Sequence, residues 1–551
     1  MSINVGAVAP IYVDWRVGSA EMGSLSPSPQ VEVYANNAIA LQLALSGGGV
    51  VSIRTPGTYL FNSVVYVPSF TTLYLGAGVT LKAAPGAPPA ILTNSNARLA
   101  PVTITTGNYT YGVAPDGANY AATVTMTPAQ LALFPVDSWV SVVSLGHGAG
   151  GAVGTAANTR GYRGVWKVVL NDGVSTLRYE IESVFPGSGA TNSLLIYPAN
   201  QNIVVCGPGT VDGNGQNSSQ AYKDGDPRGN VMWWRHVNNL TVDGLALRRG
   251  TTWTIGSNNV RNYTVKNCTP FTRTGTGITA VDVIHLSGYH RDVLIEGNVG
   301  DSPDNFIGLT MDCTEGTAYD FPYQAPGDMY GIKLINNVGH CQSALGAFGI
   351  IGLYGPAAYK YFDITISGVG GLGSSAVQLS NYSNTNQNLL SIGKLTIKNC
   401  YAMVAGASVY FTDSSVHDIQ DVVVEDVSCM RDDVPTLRIS DTATGTIRSL
   451  RLNRLGLLPY QFTNLTRSVP LVRFGGMNTN ALSVDGSESI VTATGIYAFA
   501  ADGPGNLPKV GFSNCSISHP DGVTNRLWGD TGGGTAVAPV YFNCRNNGNV
   551  L

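Results

Sequence analysis

The sequence predicts an all-β chain wound as a right-handed parallel β-helix, and three observations lead there. Charged residues make up only 12% of the 551, while Gly reaches 67 and Tyr 26, a balance foreign to disorder and to long helices. The pattern apolar, any, apolar, any, then Gly, Asn or Asp reads as one short strand ending in a turn. It recurs at Leu240–Gly244, Tyr263–Asn267, Val293–Gly297, Ile332–Asn336, Ile364–Gly368, Leu395–Asn399 and Val422–Asp426, with starts 23 to 39 residues apart. That period suits a solenoid with loops of variable length, whereas propeller blades need roughly 40–50 residues and steadier spacing. Finally, four of the eight cysteines follow Asn, at Cys268, Cys400, Cys515 and Cys544, which points to a repeated turn.

Taken along the chain, residues 1–30 form an N-terminal extension. They lack a basic stretch followed by a long apolar run, so no secretory signal is expected. Asn36–Leu45 reads as a short amphipathic helix with an Asn cap and Gly47 as its stop, a cover for the first turn within a cap and first-turn region spanning 31–93. Between about Asn94 and Asn200 the period is lost. Alternating strands and the turn Asn171-Asp172-Gly173 there predict a small inserted β-barrel. The main β-helix is expected over 201–455. Residues 456–551 are Gly-, Asn- and Ser-rich, and the turns are expected to weaken there; apolar strands such as that around Leu471 and Val472 are expected to supply contacts to other subunits.

A net charge of −4 offers no basic field for nucleic acid and no polybasic stretch for anionic lipid, and no apolar run is long enough to span a membrane. The cysteines are too sparse for a disulfide framework and lack zinc spacing, so they are read as core thiols. No metal or cofactor is expected.

From Ala38 to about Gly368 the order of segments resembles pectate-lyase-like β-helix proteins, in particular the family 28 glycoside hydrolases, the polygalacturonase-like enzymes. Gly207–Gln216 (GPGTVDGNGQ) is similar to that family's glycine-rich turn, and Asn239–Ile255 to its segment ending in a groove Trp, here Trp253. Together with the cap and the inserted barrel, the pattern also resembles bacteriophage tailspikes. The family's activity rests on an Asn-Thr-Asp, an Asp-Asp pair and a Gly-His-Gly. Ala280-Val281-Asp282 stands at the first, so only the carboxylate matches. At the second, Asp304 keeps the first carboxylate and Asn305 replaces the other. Phe348 occupies the histidine position of the third, and His340 lies close enough in sequence to substitute.

The resemblance implies a depolymerase of a host surface polysaccharide (capsule, lipopolysaccharide or exopolysaccharide), on a virion tail, as a homotrimer that contacts other tail proteins through its N-terminus. Asp304 is then the acid and Asp282 the base, with Asp301 able to replace the carboxylate lost at Asn305. Cleaving a glycosidic bond needs one carboxyl to protonate the leaving oxygen and one carboxylate to activate water or attack the sugar. Trp253, His340, Arg228 and Asn305 are the substrate-binding candidates. Plainer readings stand beside these: an Asp at a β-helix turn often bonds its own backbone, His285 reads as a structural histidine, Trp253 as core, and Arg228 as a partner of Asp226. The acids and tyrosines of the 313–331 loop suit a binding loop or a solvated excursion. A polysaccharide lyase on the same fold and a glycan-binding adhesin that cuts nothing remain open alternatives.

Overall fold

The repeated Gly, Asn or Asp at the end of each strand motif has a backbone cause. Gly244, Asn267, Gly297, Asn336, Gly368, Asn399 and Asp426 all take positive φ, between 50° and 76°. This left-handed conformation costs most L-residues about 1–2 kcal/mol, and glycine and asparagine bear it best. The Asn-Cys pairs belong to the same turn. Each Asn turns the chain through positive φ, and the following thiol drops into the core, its Sγ 3.3–3.4 Å from the carbonyl two residues earlier at Cys268, Cys400, Cys515 and Cys544. Asn543 donates to Asn514 at 2.8 Å and Asn514 to Asp485 at 2.9 Å, so the turns are tied to one another. Burial pushes the Cys268 and Cys400 thiols up to about 12, which makes them inert core groups, as the sequence reading expects.

The computed structural model describes residues 31–105, 107–113, 120–144, 164–181, 193–217, 229–271, 282–311, 327–341, 349–354, 360–380, 389–412, 416–429, 431–456, 466–486, 490–523, 525–530 and 538–551. These fall into two compact units, one running to Arg291 and one from Asp292 onward. Each contains parallel β-helix turns. In the first, Leu240 lies opposite Tyr263 on one side and Ile203 on the other. In the second, Ile332, Ile364, Leu395 and Val422 are successive partners. That ladder does not stop at residue 455. Val422 pairs onward with Leu450, then Leu482 and Val510, and Arg454 takes the left-handed position at φ 49°, held by Asp426 and Glu425. The weakening of turns expected there is therefore corrected: the strands continue in register to Val540–Phe542. The apolar side chains expected at a subunit interface are also corrected, because Leu471, Val472 and Phe474 are buried at 0–2% exposure inside the chain's own core.

The N-terminal helix (α1) spans Val31–Leu45, five residues longer than expected, and the chain leaves it through Gly48 at φ 66°. Asn36, expected as the cap, is thus an interior residue, as is Asn37 after it. The Asn37 amide donates to the Leu60 carbonyl at 3.0 Å. Gln42 donates to the Tyr66 carbonyl and accepts from the Tyr66 N–H, supplying edge groups of the first turn with partners that a strand would otherwise provide. Among the described residues no helix is long and apolar enough to cross a membrane.

The insertion is a nearly closed antiparallel barrel within the first unit. Its strand order is Val102–Ile104, Leu194–Pro198, Trp139–Ser144, Gly164–Asn171, Thr176–Ile181, Tyr120–Thr125 and Tyr109–Val113, around a core including Trp166, Tyr179 and Phe134. Asp172 closes the predicted hairpin, its carboxylate accepting the N–H groups of Val174, Ser175 and Thr176. The two ends of the insertion meet side chain to side chain: Asn94 donates to Asn200 at 2.8 Å, and Asn200 reaches Ser69 and Ser95 at 3.0 Å. The barrel rests on neighbouring turns through Ser141, 2.6 Å from His236, and through Arg261, whose guanidinium lies 5.5 Å from Trp139 and 5.6 Å from Trp166.

Candidate functional site

The sequence-predicted residues divide between the two units. Asp282 and Trp253 belong to the first, and Asp301, Asp304, Asn305 and His340 to the second. Arg228 and Phe348 lie outside the described residues, as does the 313–331 loop up to residue 326.

In the first unit, Asp282 stands just ahead of the strand Ile284–Glu296, and its carbonyl accepts from the Thr254 N–H at 3.1 Å, which joins its turn to that of Trp253. Trp253 is fixed in turn by its own N–H, which donates to the Asn230 side chain at 2.9 Å. Between the two sits His285. Its Nδ1 lies 2.5 Å from the Asp282 carboxylate, and its ring lies flat on Trp253, with centroids 3.6 Å apart and an interplanar angle of 0°. Exposure is 5% for Asp282 and His285 and 4% for Trp253. The expectation of Trp253 as a sugar-stacking platform is therefore corrected: one face of the indole is taken by His285, and the ring is buried. His285, expected from the sequence as a structural histidine, is buried and hydrogen-bonded, and its contact with Asp282 is what the sequence did not announce. The available signal was its spacing, three residues after Asp282.

In the second unit, Asp301 and His340 occupy the same register on adjacent turns, on the strands Val299–Ser302 and Val338–Cys341. Oδ1 of Asp301 is 3.1 Å from Nδ1 of His340, and the side chains are 20% and 34% exposed. The next residue in that row is Leu372, 37% exposed. This is the one candidate carboxylate of the sequence reading that stands partly open to solvent among the described residues.

Asp304 and Asn305 are different. Asp304 is 7% and Asn305 3% exposed, and the two close a turn on themselves. The Asp304 N–H donates to Ser302 Oγ at 3.2 Å, and that hydroxyl donates to the Asn305 carbonyl at 2.8 Å. The Asp304 carboxylate accepts the Asn305 N–H at 2.9 Å and its amide at 3.3 Å, while Tyr354 donates to Asn305 Oδ1 at 3.2 Å. The turn reading of Asp304 is thus realised in the structure, and Asn305, expected as a substrate contact, is buried between Asp304 and Tyr354. The Asp of the glycine-rich segment, Asp212, is also structural: it is 5% exposed and ion-paired with Arg249. Among the described residues no group of three or more His, Cys, Asp or Glu side chains could hold a metal ion.

No family model matches this chain, and no curated protein matches it. Several solved structures are similar to it. A variant of the tailspike protein of E. coli bacteriophage HK620, in complex with a pentasaccharide, is 10% identical, with 98% of this chain and 79% of that chain covered and a TM-score of 0.46. The tailspike protein gp49 of Pseudomonas phage LKA1 is 13% identical over 92% of this chain and 78% of that one, at 0.42. A family 28 exopolygalacturonase of Yersinia enterocolitica is 13% identical over 98% and 78%, at 0.37.

Proposed function

We propose that this chain is a polysaccharide depolymerase, a glycoside hydrolase of the phage tailspike kind that cuts a bacterial surface glycan, with Asp282 as the carboxylate that activates water. The observation that carries the reading is the Asp282–His285 pair. A carboxylate that is 5% exposed is costly unless a hydrogen bond compensates it, and an imidazole N–H at 2.5 Å supplies one. The ordered segments from Ala38 to Gly368, with their likeness to family 28 enzymes, support the reaction class. In this reading the particle is a trimer on a virion tail, which light scattering at micromolar concentration checks.

A second reading has its own support: Asn305 in place of a carboxylate, and an Asp304 built into its own turn, suit a tail adhesin that binds glycan without cutting it. One experiment separates the readings. The full chain is incubated with polygalacturonate and with a panel of purified bacterial capsular and O-polysaccharides. New reducing ends without ultraviolet absorbance support the hydrolase. Absorbance from an unsaturated sugar indicates a lyase, and retention of glycan without new ends indicates the adhesin.

A further inference from the structure

We propose that His285 is the positioning residue for Asp282: its Nδ1–H aims and holds the carboxylate, and Trp253 fixes the plane of the ring. The inference rests on the reading above, in which Asp282 activates water.

Asp282 precedes its strand, and the backbone bond from the Thr254 N–H to its carbonyl holds the main chain while leaving the carboxylate to be aimed by what its side chain meets. His285 is the second residue of that strand. In a regular strand, residues three apart point to opposite faces. Here the chain bends ahead of Ile284, and both side chains converge within 2.5 Å. The ring has little freedom to turn away, because it lies parallel to Trp253 at 3.6 Å, and Trp253 is anchored by Asn230 and packed against Trp233. The order of support runs from Asn230 to Trp253, then to His285 and Asp282. A neutral imidazole with its proton on Nδ1 satisfies the bond, and the proton stays on nitrogen, leaving an ionised carboxylate to accept one from water. A geometry held to within a fraction of an ångström is what proton transfer needs.

A purely structural pair makes the opposite predictions for substitutions, because packing depends on the ring and positioning depends on the donor. His285→Asn places an amide nitrogen where Nδ1 stands and discards the ring. His285→Phe keeps the ring on Trp253 and discards the donor. The full chain is assayed by reducing ends released from the polysaccharide panel, with melting followed by circular dichroism. We expect His285→Asn to hold kcat within about 10-fold of the parent. His285→Phe should lower kcat by at least ~10²-fold with KM within about 3-fold, the mark of a contribution made in the transition state. Asp282→Asn should fall as far, and Asp282→Asn/His285→Phe no further, because one residue acts through the other.

Full activity in His285→Phe overturns the proposal, as does a double variant whose losses multiply. If His285→Phe melts below the assay temperature, His285→Gln replaces it, since its amide nitrogen falls at the Nε2 position and misses Asp282. Activity retained in that variant is equally fatal. A parent chain that cuts none of the glycans overturns the functional reading itself. An active parent with indifferent His285 variants overturns only the positioning role.

Discussion

Acid should weaken this fold well above the range in which carboxylates titrate, because three histidines are sealed in it as neutral groups. His236, His290 and His417 are 0%, 0% and 1% exposed. Burial lowers His290 and His417 to about 3, and burial together with the neighbouring Arg235 charge lowers His236 well below its ordinary 6.5. Between these values and 6.5 the unfolded chain binds protons that the folded chain refuses. Stability from these groups is therefore complete above about pH 6.5 and is lost as the pH falls. Each histidine contributes about 1.4 kcal/mol per pH unit once its unfolded form is mostly protonated, so three give roughly 4 kcal/mol per unit between about pH 5.5 and 4.5. With unfolding entropy near 2.1 cal/mol/K per residue, a chain of 551 residues loses roughly 1 °C per kcal/mol, hence about 3–4 °C per pH unit. Asp521, lowered to about 2, and Asp485, also lowered, act below this window. Asp502, raised by burial, works in the opposite sense. The assay is a series of circular-dichroism melts, paired with His417→Phe. Neither ring nitrogen of His417 has a hydrogen-bond partner among the described residues, and the ring packs edge-on against Phe411 at 5.6 Å. That variant should be more stable at pH 7 by about 1–3 kcal/mol, which raises melting by roughly 1–3 °C, and lose a third of the slope. A melting temperature flat from pH 6.5 to 4.5, or a slope unchanged in His417→Phe, would refute the argument.

Three further outcomes are expected. Asn399, at φ 53°, should accept Gly within a few tenths of a kcal/mol but lose about 1–2 kcal/mol as Asn399→Val, read as the denaturant midpoint. Removing residues 95–199 and joining Asn94 to Asn200 by a short linker should leave the β-helix turns folded, because the two side chains already touch; loss of the β signature in circular dichroism would show that those turns need the barrel. Asp301→Asn and His340→Gln should change melting little, since a side-chain pair this exposed contributes at most about 1 kcal/mol, while a drop in kcat of ~10²-fold in either would move the proton transfer to this pair.

Much of the architecture was legible because solenoid turns write themselves locally. A strand whose alternate residues face the core, followed by a residue that tolerates positive φ, leaves a mark in five consecutive positions, and Leu240, Tyr263, Ile332, Ile364, Leu395 and Val422 took their places in register from that mark alone. The mark was lost at Leu450 because Arg454 fills the turn, and the ion pairs with Asp426 and Glu425 that hold it there come from the neighbouring turn, about thirty residues away in sequence. The helix began earlier than its Asn implied, and Asn37 inside it spends its amide on the Leu60 carbonyl, a long-range bond that local capping rules do not see.

The sequence by itself thus determined a β-helix with a helical cap, an inserted barrel between Asn94 and Asn200, and a short set of acids on which any glycan chemistry would depend. Only the tertiary structure decided what those acids touch. It set Asp301 beside His340 on adjacent turns, and it laid His285, hydrogen-bonded to Asp282, flat on Trp253 of the neighbouring turn. Strand periodicity reports which face a side chain takes, and it is fixed by neighbours in sequence. Hydrogen bonds and ring stacking between turns depend on residues some thirty positions apart, whose meeting is set by stacking of the whole solenoid.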